Sequence, residues 1–342
     1  MLSNFKDMSR LLFGEETRLE RLKDLKDPLI DIKERTDWKV FESELNKIFP
    51  EKENPLGGRP AYSKLLLFKI LILQEYYGLS DKSVEYQVTD RLSFMRFLDL
   101  TIDDRVPDSN TVWNFRESLK KGNAMNRLFS VFIKSLRRKG IVVNKGSIID
   151  ATIVKAPIQR NSREENDEIK KANTPEKWSK KKKEHKDVDA TWTKKHGKQF
   201  YGYKNHVKMD KKSKIITATY TTTASTHDSK AFLPLLEDID QGQTLHMDSG
   251  YASSAIETVL EVIGIKARII KKGVRGRELT DKEKAYNRRL SKIRCRVEHA
   301  FGTIKTMFGQ GIIRTIGLQR AIIKNTLRTL TYNIQRSSYL QA

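Results

Sequence analysis

The stretch IVVNKGSIIDATIV, residues 141–154, marks the point at which the sequence changes from helical to strand-like patterns. It is rich in valine and isoleucine, β-branched residues that favour strands. An acid, Asp150, lies within this apolar run, and alternation places it on the same face as Ile148 and Thr152. Burying a carboxylate is costly unless it has a partner, so the pattern indicates a site as well as a strand. A solvated acid near a strand end is the alternative.

Helical patterns precede this strand. A buried helix is predicted after Ser63, the expected N-cap, and ends at Gly78, because glycine tolerates the left-handed cap conformation. A linker, ENPLGGRP at 53–60, comes before it. The short helices that follow predict an all-α, helix-turn-helix-like DNA-binding domain at 55–140, after a helical segment at 1–54. A plain helical bundle that mediates dimerisation is the alternative.

The patterns after residue 141 predict an α/β domain at 141–335, with a mixed sheet flanked by helices. A Lys-rich insertion at about 158–195 is poor in apolar residues and predicts a flexible loop. Two alternating stretches around the polar turn at 211–214 predict a β-hairpin. A helix is predicted at 227–239, followed by strand, helix, strand and a long final helix pair.

The composition indicates a polyanionic partner. The chain has 342 residues and a formal net charge of +23. From Gly264 onward there are nineteen lysines and arginines against four acids. Such a local excess favours nucleic acid, although charge that only keeps the chain soluble is the alternative. A single cysteine, Cys295, excludes an internal disulfide and a multi-thiolate zinc site. No apolar stretch predicts a membrane span, so we expect a cytoplasmic protein.

Two further acids stand out by position. Asp248 follows the strand-like run TLHM, and Glu298 lies on the predicted long helix within RCRVEHAFGTIK. At 100° per residue, Arg294, Glu298 and Lys305 share one helix face. Together with Asp150, the two acids would make an oxygen-rich site of the kind that Mg²⁺ prefers. The alternatives are a turn-forming role for Asp248 and an ion pair between Glu298 and Arg294 at i−4.

Three stretches carry a resemblance to a known family. SIIDATIVKAP, LHMDSGYAS and RCRVEHAFGTIK resemble the three acid-bearing motifs of bacterial insertion-sequence transposases of the DDE type. The chain is most similar to the group named after insertion sequence five, which is related to the insertion-sequence-four group. The third motif has the spacing Tyr-x2-Arg-x3-Glu-x6-Lys, but Ser291 stands where the tyrosine would be. The resemblance covers about residues 55–335 and implies an RNase H-like catalytic core.

The resemblance also implies roles for particular residues. Asp150, Asp248 and Glu298 would be catalytic and would hold a two-metal site for Mg²⁺, with Mn²⁺ as a substitute. We expect further residues to contact DNA, although ordinary exposed positions are the alternative for those on the hairpin strand. The candidate DNA-binding residues are Arg294, Lys305, Arg296, Lys204, His206 and Lys208. Asp228, in His227-Asp228, is a second candidate acid, interpreted here as a helix N-cap.

The function implied is transposition. The protein would bind the terminal inverted repeats of its element and a target DNA, cut at the element ends, and join the freed 3′-hydroxyl to the target. A homodimer is expected because two ends must be brought together, and a nucleoid-associated location follows from DNA binding. Two alternatives remain open: a nuclease that cuts without joining, and a domesticated DNA-binding regulator.

Overall fold

The computed structural model describes residues 20–21, 24–25, 27–50, 60–171, 173–195, 197–273, 277–307 and 312–342. The chain divides into two compact units, one formed by Met1–Ser118 with Ile334–Ala342 and the other by Leu119–Asn333. All but Pro60 of the predicted linker lies outside the described residues, and so does most of the predicted N-terminal segment before residue 27.

The first unit is helical in its described part. Its helices are α1 (Pro28–Arg35), α2 (Trp38–Ile48), α3 (Lys64–Tyr77), α4 (Asp81–Asp90), α5 (Leu92–Leu98) and α6 (Ser109–Ser118). The predicted bounds of α3 are confirmed: the Ser63 hydroxyl accepts the Leu66 N–H at 3.5 Å, and Gly78 ends the helix with φ 64°. The last residues of the chain complete this unit, since Arg35 Nη1 donates to the Ser338 carbonyl at 3.0 Å.

The second unit combines strands and helices. Its elements are α7 (Ala124–Arg138), β1 (Ser147–Lys155), α8 (Arg163–Lys170), α9 (Lys180–His185), β2 (Thr191–Lys195), β3 (Lys198–Asp210), β4 (Ile216–Thr223), β5 (Thr244–Met247), α10 (Ser254–Val262), β6 (Lys266–Ile269), α11 (Asp281–Met307) and the larger part of α12 (Leu318–Leu340). The predicted mixed α/β class is therefore confirmed for this unit.

The sheet has the long strand β3 and the acid-bearing strand β1 at its centre. The main order is β4-β3-β1-β5-β6, and β2 pairs with the first residues of β3. The pairs β1–β3, β2–β3 and β3–β4 are antiparallel, whereas β1–β5 and β5–β6 are parallel. Gly202 of β3 pairs with the last residue of β1 and has φ 145°. A Cβ at Gly202 would lie 2.3 Å from the Val154 carbonyl oxygen. Only glycine allows this approach.

The two faces of the sheet are covered differently. Ile149, Leu245 and Met247 point to one face and pack in an apolar cluster with Leu260 of α10. Asp150 and His246 point to the other face by alternation, and α11 packs there against β1 and β5. Leu290, Val297 and Phe301, which recur at helical spacing along one face of α11, are buried. The polar edge of α11 therefore lies beside Asp150.

Two expectations were wrong in local structure. The predicted helix at 227–239 consists instead of three short 3₁₀ turns, because Pro234 cannot donate to an α-helical ladder and clashes with the preceding turn. The Lys-rich insertion is not a plain loop, since it contains α8, α9 and β2. A capping box between Ser162 and Glu165 begins α8.

Candidate functional site

The sheet register brings two of the predicted acids together. Ile149 of β1 pairs with Met247 of β5 in parallel. The residues that follow them, Asp150 and Asp248, therefore lie side by side. Asp150 accepts the N–H of Ala151 at 2.8 Å. Asp248 caps the 3₁₀ turn that follows β5 by accepting the Ser249 N–H. We call Asp150 and Asp248 the carboxylate pair.

Arg294 of α11 is the counter-ion of the carboxylate pair. Its Nη2 lies 2.6 Å from Asp150 Oδ2 and 3.5 Å from Asp248 Oδ2. The side chains of Arg294 and Asp150 are each 12% exposed, and that of Asp248 is 41% exposed. Burial raises the pKa of Asp150, while the guanidinium of Arg294 opposes this shift. Two acids that would repel each other are thus held together by one cation.

Glu298 lies one helical turn beyond Arg294. It is exposed, and its charge is one of the influences that raise the pKa of Arg294 against the effect of burial. The expected alternative, an ion pair between these two residues, is absent from the described chain, where Arg294 pairs instead with Asp150 and Asp248. Within the residues that the structure describes, no three acid, histidine or cysteine side chains are close enough together to hold a metal ion.

The hairpin residues expected to contact DNA lie mostly inside the unit. The Lys208 side chain is 1% exposed and pairs with Glu237 at 2.8 Å and Asp240 at 2.6 Å. His206 is fully buried, with Nε2 at 2.9 Å from the Thr222 hydroxyl. Burial lowers the pKa of His206 to about 4. The burial of Lys208 and His206 argues against a DNA contact by either side chain.

Asp228 lies beside the carboxylate pair. Lys204 Nζ donates to its Oδ1 at 2.9 Å, and its Oδ2 lies 3.5 Å from the position that a Cβ on Gly250 would take. The predicted N-cap role belongs to His227, whose ring accepts the Ser229 N–H. Lys204 is therefore bound to an acid of the site in this structure.

Tyr251 lies in the motif LHMDSGYAS, but the sequence analysis did not predict a role for its side chain. It is fully buried. Its hydroxyl has no hydrogen-bond partner among the described residues. Burial, with the charges of Asp228, Asp150 and Asp248, raises its pKa well above the usual range. The alternation of LHMDSGY marked the strand end, but it could not show that Tyr251 is buried close to the acids.

The two remaining candidates on α11 differ in exposure. Arg296 Nη1 donates to the Lys211 carbonyl at 2.7 Å. Lys305 is exposed near the end of β1, and its pKa is lowered by partial burial and by the charges of Lys195 and Lys155. Lys305 is thus the candidate DNA contact that is most open to solvent on this helix face.

Comparisons with known proteins agree across most of the chain. Residues 143–334 match the family described as Transposase DDE domain, and residues 17–118 match the family described as Transposase domain (DUF772). A solved structure, "Cryo-EM structure of piggyBac transposase synaptic complex with hairpin DNA (SNHP)", is similar at 11% identity and a TM-score of 0.46. The match covers 90% of this chain and 74% of that chain. None of the described helices is long and apolar enough to cross a membrane.

Proposed function

The chain belongs to the transposase DDE family and is a DDE transposase, and on that premise we propose that it cuts DNA at the ends of a bacterial insertion sequence and joins them to a target. The observation that carries the proposal is the carboxylate pair. Two aspartates, one in β1 and one directly after β5, converge on one cation near the carboxyl end of β5. We assign the element to the group named after insertion sequence five, on the motifs quoted above.

The donor set of the site suits a divalent ion. Asp150 and Asp248 already share a single cation, the Arg294 guanidinium, and their oxygens are ligands that Mg²⁺ prefers. Glu298 is exposed on the same helix face and would supply the third carboxylate. We assign these three residues to a two-ion site for Mg²⁺, with Mn²⁺ as a substitute. Bound there, the ions would supply Lewis acidity and lower the pKa of water.

The proposed reaction has two steps. In the first, a water oxygen forms a bond to phosphorus at the element end, the P–O3′ bond breaks, and a 3′-hydroxyl is freed. In the second, that hydroxyl attacks a target phosphate and displaces a target 3′-oxygen, with no covalent protein intermediate. Asp150, Asp248 and Glu298 orient the reacting groups. Arg294, once released from the acids, and Lys305 neutralise phosphates beside the scissile bond.

The fold supports this assignment. A central strand, β1, with antiparallel strands on one side and parallel strands on the other agrees with the expected RNase H-like core. The helical domain at 55–140 would be the helix-turn-helix-like module that binds the terminal inverted repeats. The protein would act as a homodimer on double-stranded DNA and associate with the nucleoid. Its affinity should fall steeply with salt, because phosphate contacts dominate.

The test is cleavage of a labelled duplex that carries the DNA bordering the coding sequence, with Mg²⁺ or with EDTA. The variants are Glu298→Gln and, as a matched carboxyl-to-amide control on the same helix, Asp281→Asn, whose side chain is fully exposed. We expect metal-dependent cutting that Glu298→Gln abolishes and Asp281→Asn retains, with equal DNA binding by all three proteins. Equal cutting by both variants would remove Glu298 from the site. A strand-transfer assay then separates a transposase from a nuclease that does not join.

A further inference from the structure

His246 is a buried side chain that the proposed chemistry does not use. It is 5% exposed, and neither ring nitrogen has a hydrogen-bond partner among the described residues. A buried polar atom without a partner costs about 1–3 kcal/mol, so such atoms are rare unless a ligand or water completes them. The ring therefore offers two nitrogens to a ligand that the described residues do not supply.

Two cationic side chains lie near this ring, and a third is bonded to the backbone of one of them. The β5–β6 register pairs His246 directly with Arg268. Lys211 lies near the first residue of β5, Thr244. A Cβ built on Gly146 would be 3.4 Å from Lys211 Nζ and 3.1 Å from the Thr244 carbonyl oxygen. Arg296 is tied to this group by its 2.7 Å hydrogen bond to the Lys211 carbonyl. A basic cluster therefore forms on the α11 face of the sheet.

This cluster has no compensating acid. Lys211, Arg268 and Arg296 make no ion pair with a carboxylate in the part of the chain that the structure describes, whereas other basic side chains of the same unit do. The charges that reach His246 are likewise both positive. Like charges gathered without a counter-ion repel one another, and an anion would relieve that repulsion.

We propose that His246, Lys211, Arg268 and Arg296 form a binding site for a backbone phosphate of DNA, separate from the carboxylate pair. Both ring nitrogens find partners there, because one donates its N–H to a phosphate oxygen and the other accepts from a neighbouring cation. The inference rests on the proposed function only for the identity of the anion as DNA. The site itself rests on burial, register and charge.

The position of the cluster relates it to the acids. His246 and Asp248 are two residues apart in extended chain, so they point to the same face. Two residues of strand span about 6.6 Å, so the two sites are close neighbours. The site would therefore hold a backbone phosphate close to the one at the carboxylate pair and would fix the register of the strand to be cut.

The test measures binding of a labelled 30-bp duplex in EDTA at several salt concentrations. We expect Lys211→Ala and Arg268→Ala each to reduce the slope of log affinity against log salt by about 0.9. His246→Phe should weaken binding by roughly tenfold, the loss of one hydrogen bond to a charged group. Lys212→Ala, an exposed lysine of the same turn, is the matched control and should leave the slope unchanged apart from any general charge effect.

A stability measurement separates this site from a purely structural histidine. His246→Phe removes two unpartnered polar atoms, so its melting temperature should equal or exceed that of the native protein while its DNA affinity falls. If His246→Phe fails to fold, Lys211→Ala and Arg268→Ala still test the site. Arg268 is exposed and Lys211 is half-buried, so both variants should fold.

Several results would overturn the inference. The phosphate site would be refuted if His246→Phe, Lys211→Ala and Arg268→Ala all bound the duplex as Lys212→Ala does. In that case, DNA binding and metal-dependent cutting by the native protein would still support the transposase function. No duplex binding by the native protein would refute both. If inorganic phosphate or ATP displaced the duplex where sodium chloride of equal ionic strength did not, the site would take a free phosphate instead of DNA.

Discussion

Arg294→Gln should destabilise the protein in EDTA and should do so much less in Mg²⁺. In the native protein one guanidinium holds Asp150 at 2.6 Å and Asp248 at 3.5 Å. Removing one partner of a buried ion pair costs about 3–5 kcal/mol. Asp248 is partly solvated and Asp150 can take up a proton, so we expect about 2–4 kcal/mol. For a unit of this size that corresponds to a fall in melting temperature of roughly 5–15 °C.

The loss should also depend on pH. Burial already raises the pKa of Asp150, and Arg294 opposes that shift, so the variant raises the pKa further. A carboxyl group whose pKa is higher in the folded than in the unfolded state stabilises most below its unfolded pKa, and this contribution is lost as pH rises through the folded pKa. The deficit of Arg294→Gln should therefore be small near pH 4 and complete near pH 8.

The assay is thermal unfolding of the native protein, Arg294→Gln and Arg289→Gln, each in EDTA and in MgCl₂. Arg289 is an exposed arginine of α11 and serves as the control. An ion that binds the carboxylate pair replaces the missing charge, and at a hundredfold excess over its dissociation constant it adds about 2.7 kcal/mol. A larger Mg²⁺ stabilisation in Arg294→Gln than in the native protein is expected. Equal losses in EDTA and Mg²⁺ would refute the idea that the arginine and the metal share these acids.

Three further outcomes follow from the structure. Lys208→Met should cost about 3–5 kcal/mol in denaturant unfolding, because it leaves Asp240, 3% exposed, without its ammonium partner. The folded fraction should bind DNA as the native protein does, and a reduced salt slope would contradict this. Gly202→Ala should prevent soluble folding, measured by expression and circular dichroism, since its Cβ would meet the Val154 carbonyl. Lys305→Ala should leave the melting temperature unchanged and lower the salt slope of binding by about 0.9.

Local patterns predicted the elements that carry the acids. β-branched alternation identified β1, because burial of one face imposes a period on the sequence, and the long helix that carries Glu298 was also predicted. Ser63 and Gly78 identified the ends of α3 for a reason equally local, the capping of free backbone groups. In each case the determining contacts lie within a few residues.

Non-local contacts were outside the reach of such patterns. Helical spacing offered Glu298 as the partner of Arg294, yet the partner is Asp150, 144 residues away. Alternation showed that Lys208 occupies a strand, but not that Glu237 and Asp240 cover it. Charge alone is a poor guide to exposure when a sheet is covered on both faces, since a buried lysine and a DNA-binding lysine look alike in sequence.

The membership of Ile334–Ala342 in the first unit has a consequence for biosynthesis. Arg35 receives its Ser338 partner only after more than 300 intervening residues have been made. At about 5–20 residues per second, the stretch from Leu119 to Asn333 takes roughly 10–40 s to synthesise. Of the two units, the one that begins earlier in the chain is thus finished later, and for that interval the nascent chain has a helical unit that still lacks the segment Ile334–Ala342.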